Sequence, residues 1–162
     1  TATKCTLAHS TPEISGVSAL FPVMTRVIKL NVSECGLGPT SMPELAKLVR
    51  DARAVLAKVN VLSNPIGADG ADALIEVFEQ NTNLRTLLGI EEGVTEVNLS
   101  DKNVDPGQAK ILAAELKASR AVAVLASVNL SGNRAIDQES RSALQESVAR
   151  RQPTIELIWD KK

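Results

Sequence analysis

The sequence predicts an α/β chain in which short strands and helices alternate in repeats. The strands pair in parallel on the concave side of a curved, right-handed solenoid, and the helices cover its convex side. Three observations predict this. One aliphatic phrase recurs at residues 27, 56, 94, 125 and 154. The apolar period is 2 within each phrase and 3.6 behind it. Strands pair about 4.8 Å apart while helices pack at about 8–10 Å, so a stack of such units bends toward its strand side.

The phrase places apolar residues at Val27, Leu30, Val32 and Leu37, with Cys35 between the last two. The second copy has Leu56, Val59, Val61 and Ile66 with Asn64, and the fourth Leu125, Val128, Leu130 and Ala135 with Asn133. The third, Val94, Val97, Leu99 and Val104, carries Lys102 where Asn or Cys stands elsewhere. Asn103 is expected to compensate, or the turn to shift. The last copy, Thr154, Leu157 and Trp159, is cut short.

In chain order, residues 1–10 show no periodicity and are expected to be a loose or capping segment. Thr11, Pro12 and Glu13 open a short helix carrying Ile14, Val17, Leu20 and Phe21, which stops before Pro22. Strands follow near 29–32 and 58–61. A helix from about Ser41 buries Leu45, Leu48 and Val49, and one over 68–80 buries Ala71, Leu74, Ile75 and Phe78. Asp105 and Pro106 open a third, with Ile111, Leu112 and Leu116 inside, and Asp137 a fourth, with Ala143, Leu144 and Val148 inside. The chain reads as a single domain: residues 1–26 an N-terminal cap with a helix, 27–153 four repeats, 154–162 a truncated last repeat. Between repeats two and three, Leu84 and Leu87 start a phrase that aborts at Leu88–Gly93, an insertion near 85–93. It is expected to be a tolerated surface loop or short β excursion, since long loops cost little to close; the alternative is a recognition loop.

The spacing L-x-x-L-x-L-x-x-N/C-x-L resembles that of leucine-rich repeat proteins. The repeat length with a full helix is similar to their ribonuclease-inhibitor-like subclass, over about residues 25–160. The resemblance implies a binding module, with relatives among inhibitors, GTPase-activating scaffolds, actin-capping domains and innate sensors.

Composition bounds the partners. Hydrophobic residues make up 44% and aromatics 2%, so the core is built from Leu, Val, Ile and Ala. The net charge is −1 and no basic run is interleaved with aromatics, which argues against nucleic acid. No apolar stretch approaches the roughly 18–20 residues that cross a bilayer, so no membrane partner is expected. The two cysteines, Cys5 and Cys35, make no disulfide framework; Cys35 reads as a buried structural thiol and the setting as reducing and cytoplasmic.

Enzyme signals are weak. The only histidine, His9, lies in the leader, and no metal-ligand spacing or phosphate loop is present. Gly67, Gly70 and Gly107 read as turn or helix-start glycines, and Glu91 and Glu92 as solvated acids. The expectation is a non-catalytic chain without cofactor or metal. Strand residues between the aliphatic ones face away from the helices. The candidate partner-binding residues are Lys29, Asn31, Lys58, Asn60, Glu96, Asn98, Asp101, Asn129 and Glu156. Stacked in register, the four asparagines would form an amide ladder, bonded to itself or serving as a polar floor. The lysines lie in one half and the acids in the other, a gradient able to orient a protein partner. Trp159, pointing inward, is expected to cap the core end. The alternative is a structural segment of a longer array, or self-association through Trp159 and Ile158. A third reading, a GTPase regulator, would use Asn98 and Asp101.

Overall fold

The computed structural model describes residues 27–52, 55–149, 151 and 154–160, and the backbone alone of residues 3–6. The helix expected over 11–21 and His9 lie outside the described residues. In order run β1 (Thr3–Thr6), β2 (Val27–Asn31), a 3-10 turn (Pro39–Ser41), α1 (Met42–Asp51), β3 (Lys58–Asn60) and α2 (Gly67–Gln80). Then follow β4 (Glu96–Asn98), α3 (Pro106–Ala118), β5 (Ser127–Asn129), α4 (Gln138–Ala149) and β6 (Glu156–Ile158). Residues 3–6 are therefore not a loose segment: they add a parallel strand beside β2.

The expected solenoid, with one curved parallel sheet along its inner side, is corrected. The strands form two separate parallel sheets, β1-β2-β3 and β4-β5-β6, with four α-helices among the described residues. The break has a local cause. The aborted phrase occupies the edge of β3 that β4 would have used. Val59 N–H donates to Thr86 O at 2.9 Å, Val61 N–H to Leu87 O at 3.0 Å, and Gly89 N–H back to Val59 O at 2.9 Å. Once those ladder groups are satisfied, β3 has nothing left to offer β4. Val97 on β4 is only half-buried, whereas Leu30, Val59 and Val128 at the matching places are buried.

Of the two expected forms the insertion takes the short β excursion, bridging Lys58 and Asn60 through Thr86 and Leu88, rather than a surface loop. Thr86, Leu87, Leu88 and Ile90 are all buried. One aliphatic core still runs through both sheets and all four helices, from Val27 to Ile155. The turns after β3 and β4 hold the halves together: Gly67 N–H donates to Asp105 Oδ2 at 2.9 Å, and Ser63 Oγ to Lys102 O at 3.0 Å. Gly107 permits the helices to meet there, since a Cβ on it would lie 2.1 Å from Gly67 O.

The helices follow their stripes with small differences. In α2, Val77 rather than Ile75 is fully covered. In α4 the core line is Ser140, Leu144 and Val148, one residue every four, which leaves Ala143 exposed rather than buried. Asp105 caps α3 by accepting from Gln108 N–H at 2.8 Å, as its place before Pro106 predicts. Trp159 is half-buried against the core end, with the Arg141 guanidinium 4.6 Å from its ring centre. No helix among the described residues is long and apolar enough to cross a membrane.

Candidate binding surface

Each sheet turns one row of side chains away from the helices. In the first, Lys29 stands opposite Lys58 and Asn31 opposite Asn60. In the second, Glu96, Ser127 and Glu156 line up, as do Asn98, Asn129 and Ile158. The expected four-step asparagine ladder is therefore split into two pairs by the sheet break.

Nor do the amides bond along a ladder. Each asparagine folds onto its own chain: Asn31, Asn60, Asn98 and Asn129 accept through Oδ1 from the backbone N–H two residues on, at 3.0–3.1 Å. Ser33, Ser100 and Ser131 each add a hydroxyl bond of 2.7 Å to the same oxygen. These are Asx turns, which bend the chain locally. The next residue then takes a left-handed conformation in every copy: Glu34, Ser63, Asp101 and Gly132, with φ between 55° and 76°. Three of the four are not glycine, and the side-chain bonds hold a backbone that L-residues otherwise avoid. The recurring Asn-x-Ser was a visible signal for this turn.

A second set of amides is buried. Asn64 Oδ1 accepts from Cys35 and Leu37 N–H at 3.1 and 3.0 Å, and its Nδ2 donates to Val32 and Val61 carbonyls at 2.8 and 2.9 Å. Asn133 repeats the pattern with Val104, Leu99 and Leu130. Each amide thus stitches the turn after one strand to the turn beside it. Lys102, which cannot do it, is exposed; the turn is not shifted, since Asp101 has the positive φ of every copy and Asn103 the positive φ that Gly36 has in the first. Burial pushes the Cys35 thiol pKa up, with a smaller push from Glu34.

Glu115 was missed. It is 2% exposed on the core side of α3, four residues after Ile111. Its carboxyl accepts from Thr86 Oγ1 at 2.9 Å, from Leu88 N–H at 2.9 Å and from Leu87 N–H. Thr86 Oγ1 in turn accepts from Ile90 N–H at 3.1 Å. Burial pushes the Glu115 pKa up to about 7, although these donors pull it down. An acid at a core place of an apolar helical stripe was the available signal.

Arg120 and Arg151 were also missed. Arg120 donates to the Phe78, Asn81 and Leu84 carbonyls where α2 ends, and Arg151 to Leu116 and Val122 where α3 ends. They tie down carbonyls at and just beyond the helix ends, where the intrahelical ladder runs out.

The charges differ between the two faces. Lys29 and Lys58 both reach Glu91, at 3.4 Å from Lys29, so the insertion folds back over the first sheet. Glu91 is therefore not a merely solvated acid, and the lysines and hydrogen bonds hold its pKa below the ordinary carboxylate range. Glu92 pairs with Arg85 at 2.7 Å. On the second face Glu96 and Glu156 have no ion pair among the described residues. Asp101 sits in the turn, its carboxylate against Gly132. On the helix side a groove of about 1060 Å³ is floored by Ala113, Ala114 and Ala143 and rimmed by charges of both signs. No group of three or more metal-ligating side chains exists among the described residues.

Compared with models of protein families, the chain matches none, and a search of curated proteins finds no match.

Proposed function

We propose that the chain is a non-catalytic protein-binding module that uses the strand face and the loops at its rim. The single observation behind this reading is the second face. There Glu96, Asn98, Ser127, Asn129 and Glu156 stand in register on paired strands, with the amides fixed by their own turns. Groups held before binding lose little freedom on binding, which favours recognition. The acids, without an ion pair among the described residues, fit a partner segment that presents Lys or Arg. The repeated phrase resembling leucine-rich repeats adds support, as does a composition without nucleic-acid or membrane signatures. A cytoplasmic setting is part of the proposal and rests on cysteine usage.

The test is capture of a partner from native lysate by wild type and by Glu96→Lys plus Glu156→Lys. Both positions are exposed, so the helical CD signal is expected to stay unchanged while the captured protein is lost. Retention of the same partner by the doubly substituted chain would refute the face as the site.

A further inference from the structure

We infer that Lys29 and Lys58 form a subsite for an acidic segment of a protein partner, and that Glu91 occupies it as an internal stand-in. The inference deepens the proposed function and rests on its reading of the strand face as a binding surface.

Like charges directly across neighbouring strands repel. Lys29 and Lys58 are nonetheless in register, and the Lys58 side chain is only 16% exposed. A half-buried ammonium with a second one beside it calls for an anion. Glu91 supplies it, one carboxylate oxygen to each lysine.

The way Glu91 is held differs from the way the rest of the insertion is held. Residues 85–90 are fastened by backbone bonds to β3 and by Glu115 and Thr86. Beyond Ile90 that fastening stops: among the described residues no backbone hydrogen bond joins residues 91–94 to the rest of the chain. Gly89 and Gly93, with φ of 71° and 81°, bracket the two acids and supply turning points that need no side chain. Gly89 also lies on Asn60, where a Cβ would come within 2.8 Å of the amide carbon. What keeps the tip down is a set of ion pairs whose acids are about half exposed: Glu91 at 57% and Glu92 at 49%. Exposed pairs of this kind are weak and exchange readily with other partners.

The occupant follows from charge and shape. The subsite already holds a carboxylate carried by a turn of polypeptide, so a peptide bearing Glu or Asp can present the same group to both lysines. Swinging the tip aside would free both lysines together.

The experiment uses the full chain and a fluorescent decapeptide rich in glutamate, read by anisotropy at low ionic strength, with a glutamine-rich peptide as control. Removing the competitor with Glu91→Gln is expected to tighten binding of the acidic peptide about 2- to 6-fold. Adding Lys29→Gln and Lys58→Gln is expected to abolish it. The stand-in is overturned if Glu91→Gln binds no more tightly than wild type while the lysine substitutions still weaken binding, an outcome that leaves the face itself as a binding surface. Binding indifferent to the lysines, or no binding by Glu91→Gln, overturns the subsite altogether. Failure of the Glu96→Lys and Glu156→Lys test, by contrast, strikes the second face and not this one.

Discussion

The turns that follow the strands and the junction between the two sheets solve one problem with different chemistry. Both must satisfy backbone N–H groups that the core has cut off from water. At the turns the solution is an amide, Asn64 or Asn133, which donates and accepts and carries no charge. At the junction the groups needing partners are the N–H donors of Leu87 and Leu88 and the hydroxyl of Thr86, and the solution is a carboxyl, Glu115. A carboxyl accepts from several donors at once, but its charge resists burial. The difference separates a motif that can be copied along a chain from a singular repair. The insertion and the acid inside α3, each odd alone, account for one another.

The largest expected effect tests the copied motif. Asn64→Ala strands the Cys35 and Leu37 N–H groups and the Val32 and Val61 carbonyls. At about 1–3 kcal/mol for each buried group left unsatisfied, with partial relaxation, the loss is on the order of 3–5 kcal/mol. Urea denaturation followed by CD would show it, and a loss below about 1 kcal/mol would mean the turn does not depend on its amide.

The repair is tested by pH. The Glu115 carboxyl titrates near 7 in the folded protein against an ordinary 4.5. A raised pKa means that the folded state holds its proton more tightly than the unfolded chain. The contribution is whole below pH 4.5 and is lost as pH rises through 7. Stability is therefore expected to fall by up to about 3 kcal/mol between those limits from this group alone. Glu115→Gln should flatten that slope, because the amide does not titrate and its oxygen can still accept from the Leu87 and Leu88 N–H groups. A slope of the same size in the glutamine variant would assign the effect elsewhere. Glu115→Leu should cost most below pH 4.5, about 2–3 kcal/mol, since nothing replaces the acceptor, and less as pH rises through 7 and the wild-type contribution fades.

Where the halves abut, Gly107→Ala probes contact rather than hydrogen bonding. The added methyl would lie 2.1 Å from Gly67 O, a backbone atom that cannot swing away. A cost of about 2–3 kcal/mol is expected, at the upper end of overpacking effects. Because the contact joins the turn after β3 to the start of α3, a large loss would show that the two halves unfold together.

What the sequence revealed follows the same division. The strands, the helices and the Asn64 and Asn133 turns were legible because they recur, and recurrence aligns apolar period with position. The sheet break was not. Leu84 and Leu87 keep the phrase, and nothing in their own residues says that they, rather than Val94 and Val97, pair with β3. That outcome depends on Glu115, some thirty residues away, whose role is visible only once α3 covers Thr86. The face was half legible. Alternation placed Lys29, Lys58, Glu96 and Glu156 outward, but the partner of both lysines lay in a segment read as solvated.

The smallest expected effect comes from the two faces themselves. On the first, Glu91 joins two lysines; on the second, Glu96 and Glu156 have Ser127 between them and no ion pair among the described residues. Glu91→Gln is expected to cost less than about 1 kcal/mol, because exposed ion pairs return little beyond the freedom their side chains give up. The sign of its pH dependence is opposite to that of Glu115. The Glu91 pKa is lowered in the fold, so its contribution is present above the ordinary carboxylate range and fades as pH falls below it. About 1 M salt should erase the difference between Glu91→Gln and wild type while leaving the Asn64→Ala loss intact, since screening reaches surface charges and not buried amides. A loss above about 2 kcal/mol would make the tip of the insertion a structural clamp, as firmly fixed as Thr86 beneath it, and a clamp of that strength could not yield its place to a partner's carboxylate.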